Sequence, residues 1–239
     1  EDIDPVLAQR AACGFNLLRV WTLFDIPGIG FMPLCDYVMI PEFVARCASF
    51  GLHVEFTAYT GINDPLHWER LCQAAMLCQP EPLLELVNEL DQNTNEPDDQ
   101  GRVFDLSLHD QPGGLLTSRG SNGSQAQPVA PFWDYATFHT NGADQEQRKV
   151  GHNAFEIWDG PTLTNETSRA LDVGMWTGAD LARRTQLAFD SAAGAALLCA
   201  GSCYHSRRGK MSELWDGDEL EVAKAWANGA KSVDLRAQD

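Results

Sequence analysis

The chain has 239 residues, with 17 basic and 34 acidic side chains and a formal net charge of −17. This acidic excess disfavours nucleic acid and anionic membrane surfaces as partners, and a neutral partner fits better. The longest apolar stretch, residues 192–200, is too short to span a bilayer, so we expect no membrane insertion. The length suits one domain with a large core.

The first half of the chain alternates between helical and extended patterns. Apolar residues at helical spacing predict three helices, over residues 3–13, 41–50 and 65–78. Short apolar runs predict three buried strands, over residues 15–21, 52–59 and 83–90. The Gly- and Pro-rich residues 25–33 predict a loop. The repeat of about 30 residues is that of one strand-helix unit.

The second half continues this pattern less regularly. Strands are predicted over residues 114–119, 135–140, 160–166 and 195–200, and helices over residues 144–157, 179–193 and 220–230. Residues 120–131 predict a polar loop where the repeat calls for a helix. Seven strands that mostly alternate with helices favour an α/β fold with a parallel sheet.

Two predicted strands end in the same polar pair. Asn88 and Glu89 close the run 83–90, and Asn165 and Glu166 close the run 160–166. In barrels of parallel strands the chemistry lies at the carboxyl ends of the strands. Glu89 and Glu166 are therefore the first candidates for catalytic residues.

Five segments together resemble the clan A glycoside hydrolases, which include cellulase- and mannanase-like enzymes. They are Gly14–Trp21, Gly51–Val54, Glu85–Glu89, Phe138–His139 and Pro161–Glu166. The resemblance covers residues 3–230 and implies a (β/α)8 TIM barrel, with residues 1–239 as one catalytic domain. It implies that Glu89 is the general acid/base and Glu166 the nucleophile, and that His139 lines the sugar site. His139 can instead be a hydrogen-bonded core residue.

The chain departs from this pattern in three places. The first barrel strand has no counterpart upstream of residue 3, so we expect it to be absent from this chain. Asn95-Glu96-Pro97 also resembles the acid/base motif, which makes Glu96 the alternative to Glu89. No tryptophan follows the eighth strand, where many members of the clan stack a sugar.

Retaining hydrolysis itself requires a carboxyl pair about 5 to 5.5 Å apart, one protonated and one ionised. We expect Glu89 and Glu166 to face each other at this separation. Arg19, at a strand end, can hydrogen-bond Glu166 and keep it ionised. Asn88 can bind the sugar 2-hydroxyl, a contact that strengthens in the transition state.

Further candidates for substrate binding follow predicted strands. Tyr59 and Trp176 lie at or just beyond strand ends and can stack on sugar rings, and His205 follows the last strand. Tryptophans at 21, 133, 158 and 215 can do the same, although aromatic residues more often serve packing.

Metal and redox chemistry have little support in the sequence. The seven cysteines contain no Cys-x-x-Cys pair and are expected to be buried free thiols. The six histidines show no His-x-His or His-x-x-x-His spacing, so we expect no metal and no cofactor. The expected partner is a carbohydrate substrate. An extracellular location suits such a substrate, and localisation stays open.

Two functions remain at this point. The first is a retaining glycosidase acting on a β-linked polysaccharide or oligosaccharide. The second is a non-catalytic barrel that binds carbohydrate or serves as a structural part of a larger assembly. The presence of both carboxylates favours the enzyme.

Overall fold

A computed structural model describes eight continuous segments and eight further positions near the carboxyl end of the chain. The segments are residues 3–26, 30–33, 36–59, 64–87, 105–120, 133–140, 162–167 and 197–199, and the positions are 214, 217, 220, 221, 223, 224, 227 and 228. At residues 24–26, 30–33, 138–140, 162, 164–167 and 197–199 the description covers the backbone alone.

The described elements are three α-helices and nine strands. In chain order they are α1 (Asp4–Cys13), β1 (Leu17–Trp21), β2 (Leu23–Ile26), β3 (Gly30–Pro33), α2 (Ile40–Ser49), β4 (His53–Tyr59), α3 (Pro65–Ala75), β5 (Leu83–Val87), β6 (Thr117–Ser118), β7 (Ala136–Thr140), β8 (Thr162–Thr167) and β9 (Leu197–Cys199). Helices α2 and α3 separate the parallel strands β1, β4 and β5. Short 3-10 helices lie at Tyr37–Met39 and Leu106–Leu108. The chain divides into two compact units, Asn16–Tyr135 and Glu1–Phe15 with Ala136–Asp239.

The unit Asn16–Tyr135 is built on a four-stranded parallel sheet in the order β1-β4-β5-β6. Helix α3 begins sharply because Asp64 accepts a hydrogen bond from the His67 N–H at 3.2 Å and Pro65 occupies the first turn. Gly51, with φ of +77°, follows α2 and permits the turn into β4. Strands β2 and β3 form an antiparallel hairpin.

The two faces of this parallel sheet differ in chemistry. One face carries buried apolar residues, among them Phe56 and Leu84, and Phe43 of α2 packs against Phe56 with ring centroids 6.3 Å apart. Alternation along the strands brings polar residues to the other face. There Arg19 is in register with Glu55, and Thr57 with Glu85. A charged row thus runs across the sheet.

The second unit, Glu1–Phe15 with Ala136–Asp239, contains α1 and a parallel sheet in the order β7-β8-β9. Gly14, with φ of +105°, ends α1 in a left-handed cap. Cys13 packs with Ala223, flanked by Phe15 and Leu220. The described positions from 217 to 228 are helical.

The observed elements agree with most of the sequence predictions. All seven predicted strands are present and pair in parallel within two sheets, so the α/β class is confirmed. Predicted strand 114–119 is reduced to two residues, and the hairpin β2–β3 lies where a loop was predicted. The predicted helices 144–157 and 179–193 and the loop 121–131 lie outside the described residues.

Three observations concern the other sequence expectations. Cys13, Cys47, Cys72 and Cys78 are free and buried, as predicted. Within the described part of the chain, no helix is long and apolar enough to cross a membrane. Among the same residues, His, Cys, Asp and Glu form no group of three or more that could hold a metal ion.

Candidate active site

The acid/base candidate follows the third strand of the four-stranded sheet. Strand β5 ends at Val87, so Asn88 and Glu89 come directly after its carboxyl end. The two residues themselves, and the alternative Glu96, lie outside the described residues. The parallel arrangement of β5 with β4 and β6 brings the carboxyl ends of these strands to one edge of the sheet.

The nucleophile candidate lies on the other parallel sheet. Glu166 is the penultimate residue of β8, and its Cα pairs in register with that of His139 on β7. The backbone register therefore places the Cα atoms of His139 and Glu166 beside each other on neighbouring strands, and the description covers neither side chain.

Arg19 is bound tightly to a second glutamate that the sequence did not single out. Its Nη2 and Nε both donate to Glu85 Oε2, the latter at 3.1 Å, and Nε also lies 2.9 Å from Thr57 Oγ1. The Thr57 hydroxyl in turn donates to Glu85 Oε2 at 2.7 Å. The exposed fraction of the side chain is 7% for Arg19 and 0% for Glu85. This is a desolvated, well-ordered ion pair.

A second buried acid, Glu55, completes this polar cluster. Glu55 Oε2 lies 3.8 Å from Arg19 Nε, and Glu55 Oε1 accepts a hydrogen bond from the Tyr135 hydroxyl at 3.0 Å. Burial, together with the carboxylates of Glu55 and Glu85, raises the pKa of Tyr135 well above its usual value. Tyr135 therefore keeps its proton and acts as a donor to Glu55.

The sequence identified Arg19 in this cluster and missed its acidic partners. The signal was present, because Glu55 and Glu85 are charged residues with apolar neighbours on both sides in predicted buried strands. A charge in the middle of a buried strand requires a partner, and the register supplies Arg19. The expected hydrogen bond from Arg19 to Glu166 stays a prediction, since the Glu166 side chain is outside the description.

Tyr59 corrects one expectation. The residue is fully buried, its hydroxyl donates to the Asp64 carbonyl oxygen, and the Trp68 N–H donates to that hydroxyl at 3.0 Å. Its ring packs edge-on against His67 and His109, with centroids 5.4 and 5.2 Å away. Both the ring and the hydroxyl are occupied, so Tyr59 is a packing residue and offers no surface to a sugar.

His67 ties three elements together near the carboxyl end of β1. Its Nε2 lies 2.9 Å from Thr22 Oγ1, and its Nδ1 contacts the Tyr37 hydroxyl. Burial lowers the pKa of His67, so the ring is neutral and accepts at one nitrogen. The remaining candidates, Trp176 and His205, lie outside the described residues.

Sequence comparison alone finds no relative: no protein-family model matches the chain, and no curated protein matches it. Structural comparison does find similar proteins. An endo-β-1,4-mannanase from Thermotoga petrophila is 15% identical with a TM-score of 0.55, and the match covers 98% of this chain and 74% of the mannanase chain.

Two further structures are described as GH5_18. One, from Bifidobacterium longum subsp. infantis, is 13% identical with a TM-score of 0.55, and the match covers 97% of this chain and 73% of the other. The second, from Streptomyces cattleya in complex with GlcNAc, is 17% identical with a TM-score of 0.54 and coverages of 100% and 76%. At sequence identities this low, the similarity concerns the fold alone. The fold of this chain is therefore similar to that of the GH5 glycoside hydrolases of clan A, the clan that its sequence motifs resemble.

Proposed function

We propose that this chain is a retaining glycoside hydrolase that cleaves a β-linked polysaccharide or oligosaccharide. One observation carries the proposal: both candidate glutamates come at the carboxyl ends of parallel strands in a fold similar to that of glycoside hydrolases. Glu89 follows β5 by two residues, and Glu166 is penultimate in β8. In barrels of parallel strands, catalytic residues come from the ends of several strands.

The proposal includes a (β/α)8-type barrel that forms one catalytic domain. It is supported by the succession of parallel strands β1 and β4 to β9, by helices α2 and α3 between the first three of them, and by the fold comparison.

The proposed reaction is a double displacement. Glu166 attacks the anomeric carbon while the protonated Glu89 gives its proton to the departing glycosidic oxygen. Glu89 then removes a proton from water, which attacks the anomeric carbon and releases Glu166. This sequence requires the two carboxyl groups to lie about 5 to 5.5 Å apart.

Three neighbouring residues support these steps in the proposal. Asn88 binds the sugar 2-hydroxyl, and His139, the register partner of Glu166, lines the sugar site. Arg19 donates a hydrogen bond to Glu166. Because Glu85 already shares the charge of Arg19, the guanidinium acts chiefly as a fixed donor and contributes little net positive charge. Trp176 and His205 are proposed to contact the substrate after later strands.

The similar mannanase makes a β-1,4-mannan the first polysaccharide to test. The proposed partner is a neutral or mainly neutral carbohydrate outside the cell. A screen of aryl β-glycosides identifies the sugar, and the matching 2-deoxy-2-fluoro glycoside then traps the glycosyl-enzyme for peptide mass spectrometry. We expect the label on Glu166.

The matched control is Glu166→Gln, which is isosteric and cannot attack the anomeric carbon. A label on another carboxylate would overturn the assignment of the nucleophile. Binding of polysaccharide without hydrolysis of any glycoside in the panel would favour the non-catalytic barrel instead.

A further inference from the structure

Arg119 lies directly after β6, at the carboxyl end of the four-stranded sheet. Its carbonyl oxygen accepts a hydrogen bond from the N–H of Val87, the last residue of β5, at 3.4 Å. Gly120 packs so closely on Val87 that a Cβ built on it would meet the Val87 carbonyl oxygen at 1.8 Å. The main chain that carries Arg119 is therefore fixed beside the strand end that leads into Asn88 and Glu89.

The Arg119 guanidinium also lies over an aromatic ring. Its Cζ lies 5.0 Å from the ring centroid of Trp133, and Trp133 stacks on Trp68 with centroids 6.0 Å apart at 29°. The Trp68 Nε1–H donates to the Asp110 carbonyl oxygen at 2.9 Å, which anchors the stack. An aromatic ring attracts a guanidinium through its face and takes up none of the N–H groups as hydrogen-bond donors to oxygen.

Among the described residues, the Arg119 guanidinium has no acidic partner. Arg119 Nε is buried and has no hydrogen bond, and no described carboxylate forms an ion pair with the guanidinium, although the chain has 34 acidic residues. Burial lowers the pKa of Arg119, since its charge is partly desolvated. Arg19, on the same sheet, is satisfied by Glu85 and Thr57. Arg119 as a whole is partly exposed, and an arginine without a described acidic partner is suited to receive an anion from outside the protein.

We propose that Arg119, held by Trp133, forms a subsite for the carboxylate of an acidic sugar unit such as a uronic acid. The inference rests on the proposed glycosidase function and specifies its substrate as a polysaccharide or oligosaccharide that carries acidic units. A guanidinium presents its two terminal NH₂ groups as a planar fork, and this fork matches the two oxygens of a carboxylate.

The net charge of −17 does not prevent this contact. At physiological ionic strength exposed charges are screened beyond about 8 Å, so the nearest cation decides the binding of a small anion. A sugar chain that is mostly neutral with occasional carboxylates suits both the acidic molecule and the local cation.

The test measures binding by NMR titration with two probes that differ only at C6, methyl β-D-glucuronide and methyl β-D-glucoside. We expect the unchanged chain to bind the glucuronide about 10- to 100-fold more tightly, the range for hydrogen bonds to charged groups. Arg119→Gln should remove this preference, and Arg119→Lys, which keeps the charge without the fork, should retain only part of it.

Arg70→Gln is the matched control, because Arg70 also stacks on an aromatic ring, that of Tyr37, at 6.0 Å but on the exposed side of α3. It should leave the preference unchanged. Thermal melts establish that each variant is folded. Equal binding of both probes to the unchanged chain, or a preference that survives in Arg119→Gln, would overturn the inference.

A third probe, glucose 6-sulfate, separates carboxylate recognition from general anion binding. If it binds as tightly as the glucuronide, the carboxylate assignment is wrong. These measurements do not depend on hydrolysis. If Arg119→Gln loses the preference but the unchanged chain hydrolyses no glycoside, the proposed function is rejected and the subsite is kept. If the unchanged chain hydrolyses glycosides but shows no preference for the glucuronide, the subsite is rejected and the proposed function is kept.

Discussion

The buried pair Arg19–Glu85 illustrates how much a single residue's surroundings determine what it can do. Arg19 was expected to lower the pKa of a catalytic carboxylate through its charge. The structure surrounds it with the carboxylates of Glu85 and Glu55 and the hydroxyl of Thr57. An arginine in such a cluster is oriented precisely, but its charge is largely compensated. Such an arginine can serve a neighbouring site as a hydrogen-bond donor in a fixed position, and its charge contributes little.

Glu85→Gln should destabilise the chain by about 3 kcal/mol, because removing one partner of a buried ion pair leaves the other charge poorly compensated. Urea unfolding measures this loss. The control is Glu69→Gln on the exposed side of α3, where Glu69 accepts a hydrogen bond from Gln73 at 3.0 Å, and its effect should stay within about 0.5 kcal/mol. Similar values for the two variants would argue against a structural role for the buried pair.

The two proposed catalytic glutamates should respond differently to the same substitution. Glu166→Gln should abolish hydrolysis of every substrate, because the amide cannot attack the anomeric carbon. Glu89→Gln should slow hydrolysis of unactivated polysaccharide by about 10²- to 10⁴-fold, the usual contribution of general acid–base catalysis. With aryl glycosides that have good leaving groups, the first step should survive in Glu89→Gln while release of the sugar slows.

Pre-steady-state kinetics on an activated aryl glycoside distinguish these cases, since Glu89→Gln should give a burst of the phenol. Equal losses in both variants on that substrate would contradict the assignment.

Asn165-Glu166-Thr167 also forms an N-glycosylation sequon, and we expect it to carry no glycan because a glycan there would block the substrate.

At the level of elements, the close approach of β6 to β5 depends on one glycine. Gly120 has φ of +83°, a conformation that costs other residues energy, and it leaves no room for a Cβ against Val87. Gly114 has the same φ but nothing within 4 Å of its ideal Cβ position. The two glycines therefore separate the cost of the backbone conformation from the cost of the steric clash.

Gly114→Ala should cost about 1 kcal/mol, the penalty of the left-handed conformation alone. Gly120→Ala should cost clearly more, because either Val87 or the residues after β6 must move. It should also reduce activity, since Val87 immediately precedes Asn88 and Glu89. Chemical denaturation and kinetics of both variants provide the comparison, and equal destabilisation would show that the packing against Val87 is loose.

His67 connects α3 with the segment after β1 and with the 3-10 helix, and it makes that connection sensitive to pH. An unfolded chain protonates histidine near pH 6.5, whereas burial lowers the pKa of His67 in the folded chain. Between those two values the unfolded state binds more protons, so the contribution of His67 to stability is complete above about pH 6.5 and falls as the pH decreases.

Urea unfolding at pH 7.5, 6.5 and 5.5 tests this dependence. The loss of stability on acidification should be smaller in His67→Gln than in the unchanged chain, by up to about 1.4 kcal/mol for each unit of the pKa difference. His53→Gln, which alters an exposed histidine on β4, should keep the original dependence. Parallel curves for His67→Gln and the unchanged chain would contradict the proposed titration.

For the whole molecule, the sequence predicted the succession of elements better than their contacts. Apolar runs identified the strands because burial leaves a periodic pattern along the chain. The pairing of β2 with β3 was missed because residues 25–33 contain the Pro and Gly residues that are typical of loops. For the three helices with described bounds, α1 to α3, the predicted ends agreed to within three residues, the largest difference being at the end of α3.

The candidate site was predictable only in part. Position at a strand end indicated where polar residues would gather, as the register of His139 with Glu166 illustrates. It did not indicate the direction of a side chain, so Tyr59 was assigned to the substrate although it packs inward. The partners of Arg19 depend on the pairing of β1, β4 and β5, residues far apart in sequence, and no local pattern encodes that pairing.

The buried thiols can report on the unfolding of each compact unit. Burial raises the pKa of Cys13 above its usual value, and raises that of Cys47 and Cys78 to about 11 and of Cys72 to about 12, so alkylating reagents at pH 8 should find almost no thiolate until the chain opens. Cys13 belongs to one compact unit and the other three to the second. Alkylation followed residue by residue in rising urea will therefore register each unit separately: coincident labelling is expected of a single cooperative domain, and labelling of Cys13 at a different urea concentration would reveal two.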